Sequence, residues 1–164
     1  MTTTVKRNMK LEQIPLVREF LADHQKMSKL MLHTLVSLEE GDVEAAVQSA
    51  TALDELGGPH IAYEEAELYP RISGEKLIST TTRELYDEHR ETVTALKRLL
   101  DDPEPNESTR QEIIAGLRTG IHHAEQCGSL VSLLAALPEP EQNESLTKLL
   151  AFREQGRRWT DRMR

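Results

Sequence analysis

The sequence predicts an all-α protein, an antiparallel up-down-up-down four-helix bundle with an additional C-terminal helix. Three observations lead there. Aromatic residues make up only 4 % of the 164 residues, while Leu, Ala, Glu, Lys and Arg are abundant, a balance that favours helix over sheet. Apolar residues recur at three- and four-residue steps along several long segments, and Gly, Pro, Asp and Ser clusters separate those segments. Histidines then recur once per segment in two copies of one plan, as a site between the helices of a bundle requires.

The first helix is expected over Ile14–Glu40, with Val17, Leu21, Met27, Met31, Leu35 and Leu38 on its apolar stripe. Pro15 suits its first turn and Gly41 its stop. His24 lies on that stripe, one turn past Phe20 and Leu21, where a buried imidazole must find a hydrogen bond or a metal. The second helix is expected from Asp42 to Leu68 or Tyr69, ended by Pro70 and kinked but continuous through Gly57-Gly58-Pro59. Arg71–Thr82 reads as a connection, with Gly74 and a Ser/Thr cluster supplying caps. A third helix runs to about Leu100, with Leu85, His89, Val93 and Leu96 on one face. After the Asp101–Asn106 break, Ser108-x-x-Gln111 resembles a capping box for a fourth helix extending to Leu137. A fifth runs from about Asn143 to Asp161, with Phe152 and Trp159 on one side, packed against the bundle or a partner. The domain plan is a tail (1–13), the bundle (14–137) and a C-terminal helical extension (138–164).

Composition excludes several functions. A net charge of −8 argues against nucleic acid as a partner, since that needs a basic face. A single cysteine rules out an internal disulfide framework. No apolar run approaches the roughly 20 residues of a membrane span. The first ten residues lack the apolar core of a secretory signal, so a cytoplasmic location is the expectation.

The chemistry lies in the repeat. Asp23-His24 is followed by His60-x-x-x-Glu64, and Glu88-His89 by His122-His123; His33 alone stands outside this pattern. Residues four apart share a helix face, so His60 and Glu64 point at one spot. A carboxylate there is costly to desolvate unless a cation stabilises it. Imidazole with carboxylate suits iron, manganese or zinc, and four helices leave room for two ions bridged by a carboxylate.

On these residues the sequence resembles the hemerythrin-like, or HHE cation-binding, family. The run from His60 through Glu64, Glu65, Leu68 and Tyr69 to Pro70 matches the family pattern H-x-x-x-E-E-x-x-L-[FY]-P throughout. Asp23-His24, Glu88-His89-Arg90 and His122-His123-Ala124 add to it, and the likeness covers residues 14 to 137. The resemblance implies a non-haem di-iron centre, with His24, His60, His89 and one of His122 and His123 as terminal ligands and Glu64 as a bridge. It also implies binding or sensing of oxygen, nitric oxide or peroxide, or peroxide removal by an enzyme.

The fourth helix departs from the family, which has His-x-x-x-Glu there. In this chain His122 leads to Gln126 and His123 to Cys127, with Glu125 nearby. Aligning the two halves favours His122. Periodicity favours His123, because a ligand must face inward and its neighbour lies about 100° round the helix. Loss of the second bridging carboxylate implies weaker binding of two metals, or a single ion. Iron is the expected metal, with manganese and zinc fitting less well. The competing expectation is a metal-free bundle acting as a protein-interaction module, and a homodimer through the last helix is a separate expectation. Taken singly, Tyr63, Tyr69, Met27 and Met31 read as packing, and Cys127 as a small buried hydrophobe. His33, Glu65, Glu67 and the Arg153–Arg164 cluster read as solvated, with Glu65 a candidate partner for a metal-bound histidine.

Overall fold

The computed structural model describes residues 10–72, 76–77 and 80–163. Gly74, Arg164 and most of the expected N-terminal tail lie outside the described residues. Four long helices form the bundle: α1 (Pro15–Glu40), α2 (Val43–Tyr63), α4 (Thr82–Asp101) and α5 (Glu107–Gly128). α2 passes through a π-helical turn, Glu64–Leu68, into the short α3 (Tyr69–Ile72). A two-residue antiparallel pairing of Lys76–Leu77 with Thr80–Thr81 leads into α4. After α5 come α6 (Val131–Ala136), α7 (Glu139–Gln155) and a final 3-10 turn, Thr160–Arg162. α1 packs against α2 and α5, and α4 against α5 and α2, closing the ring of four, while α7 lies across α2. The all-α bundle with an extra C-terminal helix is therefore the observed architecture.

Local chemistry explains most boundaries. Pro15 opens α1 and Gly41, left-handed at φ 77°, closes it. The Asp42 carboxylate accepts from the Ala45 N–H at 3.1 Å to cap α2. Thr81 and Glu84 form a reciprocal capping box at the start of α4. α5 is capped by Asn106, which accepts from Thr109 N–H at 2.9 Å, and not by Ser108. Ser108 and Gln111 have the right spacing for a box, but Asn106 enters the helix first with extended backbone.

One further expectation holds and two are corrected. The helix is continuous through Gly57-Gly58-Pro59, as expected, and a π turn follows it ahead of Pro70. Proline has no N–H for the Ala66 carbonyl, and its ring would crowd that carbonyl in a regular helix, so the wider turn accommodates it. The fourth helix does not run unbroken to Leu137, because Ser129 and Leu130 separate α5 from α6. The last helix ends at Gln155, where Gly156 adopts φ 62° and turns the chain back. Trp159 consequently does not share a helix face with Phe152.

That turn-back explains the glycine pair. A Cβ on Gly58 would stand 1.9 Å from the Arg157 carbonyl oxygen, and one on Gly57 would stand 2.7 Å from the Trp159 ring. The two glycines let the C-terminal segment lie directly on α2. Asp54 clamps it there: its carbonyl accepts from Trp159 N–H, and its carboxylate accepts from the N–H and hydroxyl of Thr160 at 2.8 and 2.9 Å. Trp159, 4 % exposed, becomes part of the core.

The core has two apolar clusters. One gathers Met27, Met31, Leu35, Leu53, Val93, Leu96, Ile113 and Leu117 with Trp159. The other gathers Phe20, Tyr63, Leu68, Tyr69, Leu85, Cys127, Leu130 and Leu149. On α1, α4 and α5 a histidine stands between the residues of one cluster and those of the other. The polar layer between the clusters is the site.

Candidate metal centre

His24, His60, Glu64, His89 and His123 are all buried, and they form two groups of potential cation ligands. His24, His60 and Glu64 make one; Glu64, His89 and His123 make the other. Glu64 is shared and wholly inaccessible to solvent. Its Oε1 lies 3.2 Å from His24 Nε2 and 3.0 Å from His60 Nε2. Its Oε2 lies 3.0 Å from His89 Nε2 and 3.8 Å from His123 Nε2. One carboxylate oxygen thus faces each pair of imidazoles.

The outward ring nitrogens are also engaged. His60 Nδ1 donates to Asp23 at 3.0 Å, His89 Nδ1 to Glu65 at 2.8 Å and His123 Nδ1 to Glu88 at 2.8 Å. His24 Nδ1 donates to the Phe20 carbonyl at 3.0 Å. Four rings are therefore held with Nδ1 protonated and Nε2 directed at the centre, which orients imidazoles for a metal and raises their basicity. The acids are exchanged between helices. Asp23 supports His60 rather than its neighbour His24, and Glu88 supports His123 rather than His89. The internal repeat survives in this arrangement.

Of the adjacent pair on α5, His123 lies in the site, whereas His122 is exposed and outside both groups. One residue's rotation carries it off the inward face. Cys127 occupies the place one turn beyond His123. Its thiol, fully buried, donates to Glu64 Oε1 at 2.9 Å. Glu125 is exposed and Gln126 half-buried. The Tyr69 hydroxyl donates to Glu64 Oε2 at 3.1 Å and lies 3.1 Å from His89 Nε2, 3.3 Å from His123 Nε2 and 3.5 Å from the Cys127 sulfur. Reading Tyr69 as packing alone missed this contact. Its position depends on the π turn, which no spacing rule announces. His33, outside the site, meets the Ser49 hydroxyl.

α7 reaches the site from outside the bundle. Arg153 pairs with Glu19 at 2.7 Å and with Asp23, the acid behind His60, at 3.0 Å. The basic cluster near the C-terminus is thus not simply a solvated helix end.

Charge in this centre is mutually compensated. Burial alone would raise the pKa of Glu64, but His60, His123 and His24 hold it well below the ordinary carboxylate value. Burial lowers the pKa of His60, yet Glu64 and Asp23 outweigh it and push the group up to about 9. His123 reaches about 9 in the same way, through Glu64 and Glu88 acting against burial. For His24, burial and the charge on His60 win, and the ring is held below its ordinary value. Burial and Glu64 raise both Tyr69 and Cys127. In the absence of metal, protons on His60 and His123 supply the positive charge that Glu64 needs.

These shifts set a pH profile for metal-free protein. The contribution of His60 and His123 is fully present below their ordinary value of 6.5 and is lost as pH rises through about 9. That of Glu64 is present above its ordinary 4.5 and is lost as pH falls through its depressed value. His24, held low, acts in the opposite sense below 6.5, so stability of chelator-treated protein is expected to be greatest near pH 6.5 and to decline toward pH 9. A melting-temperature scan checks it, and an unchanged melting temperature from pH 6 to 9 would contradict it. Cations must displace these protons, so binding at neutral pH is expected to release them.

The fold and the buried donors define a class: a helical-bundle cation-binding protein with a carboxylate shared between two ligand groups. The chain belongs to the hemerythrin family, its residues 16–126 matching the hemerythrin HHE cation binding domain. Comparison with curated proteins and with solved structures gave no match. The family match ends before α6 and α7, so the helix that supplies Arg153 and the turn that carries Trp159 lie outside it. No helix among the described residues is long and apolar enough to cross a membrane.

Proposed function

We propose that this chain is a non-haem iron protein that binds or senses oxygen, nitric oxide or peroxide at a pair of irons bridged by Glu64. The observation that carries the reading is the buried Glu64 carboxylate with two imidazole Nε2 atoms facing each oxygen. Each group is a two-histidine, one-carboxylate set, the donor set of non-haem iron(II) with open positions. His24 and His60 would hold one ion, and His89 and His123 the other. Cys127 stands four residues after His123, where the family pattern has a glutamate, and both it and Tyr69 are within hydrogen-bonding distance of Glu64.

Iron bound there would supply reversible binding of a small ligand and exchange of one electron at each ion. The protein's own part is to orient the imidazoles, restrict water and limit ligand size. A cavity of about 10 Å³ borders His24, His60, Glu64 and His123 and is otherwise walled chiefly by Met27, Met31, Ile61, Ala124 and Trp159. That is room for a molecule the size of one water, which favours a diatomic gas or peroxide over a larger substrate.

The test is metal content of protein produced with iron supplied, together with its optical spectrum under oxygen and nitric oxide. Two irons per chain and a spectrum altered by either gas are expected. One iron per chain would overturn the bridging role of Glu64. Absence of iron would overturn the metal reading and leave the bundle as an interaction module.

A further inference from the structure

A second cavity, of about 360 Å³, opens on the far side of His89 between α2, α4 and the C-terminal turn. Its volume falls within the range of small-molecule sites, about 300–1,000 Å³. Ile61, Val93, Trp159 and Met163 provide apolar wall, and Arg162 and Arg90 provide guanidinium groups. The two arginines differ. Arg90 pairs with Asp87 on its own helix. Arg162 lies over the Phe152 ring, but its Nε and Nη2 atoms are shielded from solvent and have no hydrogen-bond partner among the described residues. Burial and the nearby Arg157 hold its pKa below the ordinary value, against the opposing charge of Glu65. Glu65 also lines the cavity, but its carboxylate accepts from His89 Nδ1.

Shielded donors without acceptors are costly, and because these atoms are closed off from solvent as they stand, an acceptor reaches them once the Arg162 side chain turns toward the cavity. A guanidinium offers donors in a planar fork that matches a carboxylate. We propose that this cavity binds a small organic carboxylate, its anionic group on Arg162 and its short apolar body against Ile61, Val93, Trp159 and Met163. The site is far larger than the gas-sized cavity, shares Ile61 and Trp159 with it as common wall, and does not depend on the iron reading. It is formed by the C-terminal segment together with α2 and α4, and so exists only while that segment stays docked.

Trp159 is the chain's only tryptophan, so its fluorescence reports on this cavity directly. Hexanoate titrated into metal-free full-length protein should change that fluorescence saturably. Hexanol, equal in length but neutral, should bind about tenfold more weakly or worse, the loss expected for a charge-assisted hydrogen bond. Arg162→Met should weaken hexanoate binding to a similar degree and leave hexanol binding unchanged. The absence of a saturable change overturns the proposal, as does equal binding of the alcohol and the acid by unaltered protein. Binding of hexanoate only after iron loading overturns it too, since the carboxylate would then be ligating metal.

Discussion

Glu64→Gln is expected to abolish binding of a second iron and to weaken binding of the first by more than about 100-fold. The larger figure follows because even partners behind the ligands are worth about 10–100-fold in metal affinity, and Glu64 faces both imidazole pairs directly. Glutamine keeps the shape but removes the anion, and its amide would present donors where two cations are to sit. In metal-free protein the substitution also removes the charge that holds His60 and His123 up near 9. The decline in stability between pH 6.5 and 9 should therefore flatten along with the loss of metal. Metal analysis and calorimetric titration read the first effect, and thermal scans at several pH values read the second. His122→Ala is the control: it is exposed and outside the cluster, so normal iron content is expected. A Glu64→Gln protein that still holds two irons would exclude the bridge.

Trp159→Ala is expected to destabilise the fold by about 3–5 kcal/mol, the usual cost of truncating a buried large aromatic. For a chain of this length that lowers the melting temperature by on the order of 10 °C. The side chain is 4 % exposed, lies against Gly57 and stands edge-on to His89 with ring centroids 6.1 Å apart. Gly58→Ala should destabilise the same contact from the other side, because its Cβ would meet the Arg157 carbonyl oxygen at 1.9 Å. Backbone cannot yield there as a flexible side chain would, so the C-terminal segment must lift. Both variants should also lose Trp159-linked protection of His89 and bind metal less tightly. If Trp159→Ala melts within 2 °C of the unaltered protein, the segment is not part of the core, contrary to this account.

Much of the site was readable before the structure because it depends on short-range periodicity. His60 and Glu64 must share a face whatever surrounds them, and His123 rather than His122 follows from the inward stripe. Glu65 was recognisable as a candidate support for a histidine. The pairing of acids with histidines was not readable. Asp23 and Glu88 adjoin His24 and His89 in sequence, but neighbouring side chains on a helix diverge by about 100°, so each acid serves the ring across the bundle. Tyr69 and Cys127 were individually plausible as packing, since burial of a phenol or thiol carries no directional signal in sequence. Their approach to Glu64 depends on a π turn and on how α5 is rotated against α2. The role of the Gly57-Gly58-Pro59 run is hidden in sequence for a similar reason. Glycine pairs signal either a break or a close approach, and only the approaching chain distinguishes the two.

The sequence by itself determined the helical class, the inward histidines, the family and the absence of a glutamate from α5, because each depends on residues within a few turns of one another. Tertiary structure alone decided which acid orients which imidazole, what stands in place of the missing glutamate, and where the chain's end lies. Those are contacts between segments far apart along the chain, such as Arg153 with Asp23 and Trp159 with Gly57. Such contacts are set by packing the two apolar clusters above and below a polar layer, and no local pattern encodes them.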